Sequence, residues 1–186
     1  DEQVVSAWTN GLQLATQSSS ELNDESVLAV LSMAGTISTS SRSIDSLGSP
    51  SLLATGLLSA VNSVSFSVSS SMQRRRRMSN SSDAAPSSVS TAAATATKNT
   101  LNEIGSLVAN SMSPGQSAVN FTQSGLRMSV LMLEDNGGEN TTIAVPLTEL
   151  ESVAGIPSST ISLLPASNAT NLIVSSLRSA VFNDLN

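Results

Sequence analysis

The sequence predicts an α+β fold: an N-terminal helical bundle over residues 1–113, then an antiparallel β-sandwich-like half over residues 114–186. Three observations lead there. Apolar residues recur at spacings of three and four as far as Val108, the period of helices with one buried face. Ser113-Pro114-Gly115 then stops the last helix. Beyond it, Leu126, Met128, Val130 and Met132 alternate with Arg127, Ser129 and Leu131, the period of a strand.

The first helix is expected to bury Val5, Trp8, Leu12 and Ala15. Asn23 or Asp24 caps a second, whose face is Val27, Val30, Leu31 and Ala34, extending to Ile37. Ser49-Pro50 opens a third, as an N-cap followed by proline at the first helical position. Its stripe is Leu53, Leu57, Ala60 and Val64, and a fourth helix carries Leu101, Ile104 and Val108. Between these two, a loop with Pro86 is expected from about residue 69 to 90, long enough to be mobile. In the β half, the strand at 126–132 is expected to form a hairpin with Thr141 to Val145 around the turn Asp135-Asn136-Gly137-Gly138. Leu147 to Val153 suits a short helical turn, and Ile161 with Leu163 a short strand. Leu172 to Leu185 is read as strand, although a helix also brings Leu177 and Val181 together. No internal repeat is visible.

Composition narrows the chemistry. The chain has no cysteine, histidine or tyrosine, while 40 serines and 15 threonines supply much of its polarity. Disulfides and thiolate sites need cysteine, and imidazole ligands and Ser-His or Cys-His pairs need histidine. Only carboxylate chemistry remains for an enzyme, and no paired site stands out. With three Phe and one Trp the core must be aliphatic, with Trp8 and the six methionines expected inside it. A charged fraction of 12 % leaves hydroxyls, or groups attached to them, to keep the surface wet. No run reaches the roughly 18 apolar residues of a membrane helix, and no signal peptide precedes the first helix. The start at Asp1 rather than Met suggests a piece of a longer protein, with any anchor outside these residues.

Arg74, Arg75, Arg76 and Arg77 are half of the eight basic residues. They could meet nucleic acid, but 14 acidic residues against four other bases give a field that repels phosphate, and no aromatic is placed to stack on bases. Cleavage by a processing protease, contact with a polyanion such as acidic glycan or a neighbouring subunit, and a plain solvated loop remain open. Four sequons begin at Asn80, Asn120, Asn140 and Asn168. About four are expected by chance from this Asn, Ser and Thr content, so the number alone is uninformative. Asn80 and Asn140 fall in expected loops, where a glycan fits. The acids Asp24 with Glu25, and Glu134, Asp135 and Glu139, lack the alternation of a calcium loop and read as ordinary cap and turn residues. No phosphate-binding glycine loop and no nucleophile elbow occurs.

A Ser/Ala-rich helical half followed by a β half resembles the autoproteolysis-inducing (GAIN) domain that precedes the first membrane span of adhesion receptors and polycystins. Phe121 to Val130 looks like its first β-segment, Thr141 to Leu147 like the next strand with its terminating proline, and Leu172 to Val181 like a later strand. The family's His-Leu-Ser/Thr cleavage motif, with its preceding cysteines and tryptophans, is absent, so no autoproteolytic residue carries over. The bias towards alanine and serine and the arginine run are more similar to polycystin-like surface proteins of protists than to animal receptors.

The resemblance implies a non-enzymatic extracellular structural and interaction module of a large polycystin-like surface glycoprotein, with a cilium or its surface filaments as one location. Its expected partners are other protein chains, segments of the same parent, and glycans; no nucleic acid, cofactor or metal is expected. A secreted flagellin-type filament subunit is the alternative, since flagellins share the Ser, Ala, Asn and Thr bias and the lack of cysteine. Two open β edges are also expected, making residues 1–186 more prone to self-association than a longer chain.

Overall fold

The computed structural model describes residues 2–18, 21–44, 48–78, 88–132, 141–158, 160–163 and 171–177. Four helices come first: α1 (Glu2–Ala15), α2 (Asp24–Ser41), α3 (Pro50–Met78) and α4 (Ser88–Ala109). The strands β1 (Val119–Thr122), β2 (Leu126–Met132) and β3 (Thr141–Ala144) follow, then the short helix α5 (Glu149–Val153), β4 (Thr160–Leu163) and β5 (Asn171–Leu177). The fold is α+β, with helix predominating.

Helix starts follow local chemistry. Asn23 caps α2, its side chain accepting from the Ser26 N–H at 2.8 Å. Asp24 and Glu25 sit in the first turn of α2, where the helix dipole favours negative charge. At α3, proline occupies the first turn and the Ser49 carbonyl accepts from Leu52 and Leu53 N–H groups. The expected stripes of α2, α3 and α4 are all buried. Leu31, Leu57, Ile104 and Val108 from these stripes, and Leu58 and Val61 beside the α3 stripe, are almost fully enclosed, each stabilising the fold by about 1.5–3 kcal/mol. α2 packs on α4 and α3, α3 packs on α4, and α1 lies against α3 and α2.

The first helix is rotated relative to expectation. Its buried residues are Val5, Thr9 and Leu12, with Thr16 just past its end; Trp8 is 53 % exposed and Ala15 is exposed. The threonines can enter because each hydroxyl donates to the carbonyl four residues back, Thr9 to Val5 at 2.9 Å and Thr16 to Leu12 at 3.0 Å. A satisfied Thr buries its methyl at little cost, and the indole is displaced outward.

The loop expected over residues 69–90 is helix at both its ends, α3 continuing to Met78 and α4 beginning at Ser88, while its middle, residues 79–87 with Pro86, lies outside the described residues. No Gly or Pro interrupts residues 69–78, and Gln, Arg and Met are good helix formers, so nothing local ends α3 there.

The β half opens at Gly115, whose φ of 78° suits a residue without Cβ and whose N–H donates to the Met132 carbonyl. β2 is the central strand of an antiparallel three-stranded sheet in the order β1-β2-β5. Val119 pairs with Val130 and Phe121 with Met128 on one side; Leu126 pairs with Leu177 and Met132 with Asn171 on the other. The expected hairpin between residues 126–132 and 141–145 therefore does not form. Both edges of β2 are taken, and β3 pairs with β4 in a separate two-stranded sheet.

The sandwich is corrected too. α4 packs on β2 and β5, and Phe121, Leu126, Met128 and Val130 belong to the same buried cluster as Ile104, Leu107 and Val108. A helix covers the apolar face that a second sheet would have covered.

Candidate functional site

The residues with chemistry to offer are drawn into three places. One is the seam between α3 and the β1–β2 turn. Asn62, 8 % exposed, donates through Nδ2 to the Ser124 hydroxyl at 3.1 Å. Its Oδ1 accepts from the buried Gly125 N–H at 3.0 Å. One amide thus satisfies a backbone donor that the tight turn leaves without a ladder partner, and fixes the sheet to the helices.

The second place is the start of α5. Thr148 and Glu151 form a reciprocal cap: Glu151 Oε2 accepts from the Thr148 N–H at 3.0 Å and its hydroxyl at 2.8 Å, while the Glu151 N–H donates to Thr148 Oγ1 at 3.3 Å. The other carboxylate oxygen of Glu151 lies 3.1 Å from Arg127 Nη2 on β2. Gly155, with φ 67°, ends the helix, and the Ile156 N–H returns to the Glu151 carbonyl at 3.0 Å.

The third is a groove of about 490 Å³ between α2 and α4, lined by Leu31, Gly35, Thr36, Thr39, Thr100 and Glu103. At its end Glu103 forms an ion pair with Arg42 and accepts from the Thr39 hydroxyl at 3.3 Å. Thr36 and Thr39 also donate to the carbonyls of Ser32 and Gly35. Thr100 reaches across to the Leu31 carbonyl at 3.0 Å, tying α4 to α2.

These arrangements serve folding. Carboxylates, amides and hydroxyls are occupied in caps, ion pairs and cross-links, and among the described residues no three acids gather as metal ligands. Among those residues, too, no helix is long and apolar enough to cross a membrane.

Of the sequons and the arginine run singled out in the sequence, the described part of the structure holds Asn120 and the backbone of Arg74 to Arg77. Arg74 to Arg77 fall on the last turns of α3, in helix rather than in a basic loop, and their side chains lie outside the described part of the structure. Asn80, Asn140 and Asn168, with Glu134, Asp135 and Glu139, lie outside the described residues. Asn120 is exposed on β1, where Oδ1 accepts from the Ser129 hydroxyl at 2.7 Å. Sequence reasoning missed Asn62 and the Thr148–Glu151 cap. The second was findable, because Thr-x-x-Glu is the cap's signature; a lone Asn on an apolar helix gives no such signal.

The apolar surface of α1 is wider than its buried stripe. Val4, Trp8 and Leu14 are exposed, together with Ala7, Gly11 and Ala15, on a side that runs on from Val5 and Leu12 through Trp8.

Comparison with protein-family models, with curated proteins and with solved structures gives no match for this chain.

Proposed function

We propose that the chain is a non-enzymatic structural and interaction module of a polycystin-like extracellular surface protein. The observation that carries the interaction role is the outward apolar face of α1, with Trp8 at 53 % exposure in a chain with one tryptophan. Isolated exposed apolar residues are ordinary, but on α1 the apolar surface continues past the buried stripe through Trp8 and Val4 to Leu14, which is more than its own fold covers. The occupant of that face is another protein chain or segment of the parent.

The helical half before the β half is the order that the resemblance to autoproteolysis-inducing domains calls for. The occupied carboxylates and the absence of histidine and cysteine favour a scaffold over a catalyst. The antiparallel order β1-β2-β5 supports the module reading over the flagellin-type alternative, which is built around coiled-coil helices.

Two measurements test the reading. Antibodies to the folded chain should stain intact, unpermeabilised cells that make the natural protein; staining only after permeabilisation would contradict an extracellular site. Val4→Ser with Trp8→Ser should keep the melting temperature of the parent chain while weakening its association with the surface complex. Unchanged association would remove α1 from the interaction.

A further inference from the structure

Two exposed residues on β1 and the buried one between them carry a chemical inference, which rests on the extracellular reading above. Asn120 and Thr122 are exposed, and Phe121 between them is buried at 7 % exposure. Strand alternation therefore puts the amide and the hydroxyl two residues on together on the outward face. The amide is also oriented. Oδ1 is held by the hydroxyl of Ser129, which is fully buried, so the oxygen is engaged against β2 while Nδ2 is the atom that attachment would use.

The geometry points to Asn120 as an N-glycosylation site whose oligosaccharide shields the border of the three-stranded sheet. In the transfer, Nδ2 bonds to the anomeric carbon of an oligosaccharide carried on a lipid diphosphate. The bond from that carbon to the diphosphate oxygen breaks, the lipid diphosphate leaves, and the amide gives up one proton. Oδ1 takes no part, so the hydrogen bond from Ser129 persists in the product. This distinguishes Asn120 from a sequon whose amide must be freed from the fold before it can carry a glycan.

Position gives the modification a consequence. Among the described residues β1 is a border strand in the order β1-β2-β5, and an unpaired border is a template for a further strand. A bulky, hydrated group fixed on four-residue β1 obstructs that approach, replacing the charge that edges commonly carry and this strand lacks.

The test places the full chain behind a cleavable secretory leader in eukaryotic cells and maps glycopeptides by mass. Asn120 should carry an oligosaccharide, Thr122→Ala should lose one oligosaccharide from the intact chain, and Thr122→Ser should keep it. Thr122 is exposed and Asn120 stays in place, so the Ser129 bond is undisturbed. Enzymatic removal of the glycan from the folded protein should then increase self-association in sedimentation. An unmodified Asn120, or equal glycan numbers in parent and Thr122→Ala, would overturn the site; unchanged sedimentation would overturn the shielding. Because the leader imposes secretion, failure here leaves the extracellular reading to its own test on natural cells.

Discussion

The helical half and the β half bury polar groups by different means. In the helices, Ser38, Ser41, Ser65 and Thr97 are buried, and each hydroxyl donates to the carbonyl four residues earlier at 2.6–2.9 Å. The acceptor comes with the helix, whatever the rest of the chain does. In the β half the partners are remote or belong to another element: Asn62 for Gly125, Arg127 for Glu151, Asn120 for Ser129. A chain this rich in serine and threonine can thus build an aliphatic core in helices almost for free, whereas its sheet depends on particular side chains placed elsewhere. Substitutions should separate the two.

The largest effect is expected at Glu151→Ala, which removes the α5 cap and leaves Arg127 partly buried without its carboxylate. We expect a loss of about 2–4 kcal/mol in urea unfolding. Asn62→Leu should cost about 1–3 kcal/mol, because the Gly125 N–H becomes a buried donor without a partner. A loss under 0.5 kcal/mol at either position would mean that the sheet stands without its ties.

Two glycines sharpen the comparison inside the helical half. A Cβ on Gly56 would lie 2.6 Å from Thr9 Cγ2, where α1 crosses α3, so Gly56→Ala should destabilise by about 1–2 kcal/mol despite its better helix propensity. A Cβ on Gly11 meets nothing within 4 Å, and Gly11→Ala should stabilise by about 0.5–1 kcal/mol. Thermal melts of the pair would show whether α1 is seated as described. The smallest effect is expected at Ser38→Ala, within about 0.5 kcal/mol, since the Ala34 carbonyl keeps its helical partner and alanine is the better helix former.

The same contrast explains what could be read from the chain in advance. α2 was legible to its cap, because Asn23 and the run from Val27 to Ile37 are short-range signals. β2 was legible from its alternation. Apolar spacing groups Trp8 with Val5 and Leu12 and passes over Thr9, which α1 can bury because the helix supplies its hydroxyl with an acceptor at once. The partner of β3 was not legible: alternation fixes which face a strand buries, and neither the occupied edges of β2 nor the pairing with β4 is a local property. The candidate site fared similarly. Thr148 and Glu151 lay within reach of a four-residue pattern, whereas Asn62 and Gly125 are 63 residues apart.

Amide hydrogen exchange compared in Asn62→Leu and Ser38→Ala tests most directly whether local hydroxyl bonds are dispensable and the remote amide is not. We expect the Gly125 N–H to exchange slowly in the parent chain and in Ser38→Ala, and to lose its protection in Asn62→Leu along with neighbouring amides of β1 and β2. Protection unchanged at Gly125 in Asn62→Leu, or α2 amides of Ser38→Ala exchanging as fast as those of the weakened sheet, would contradict that division.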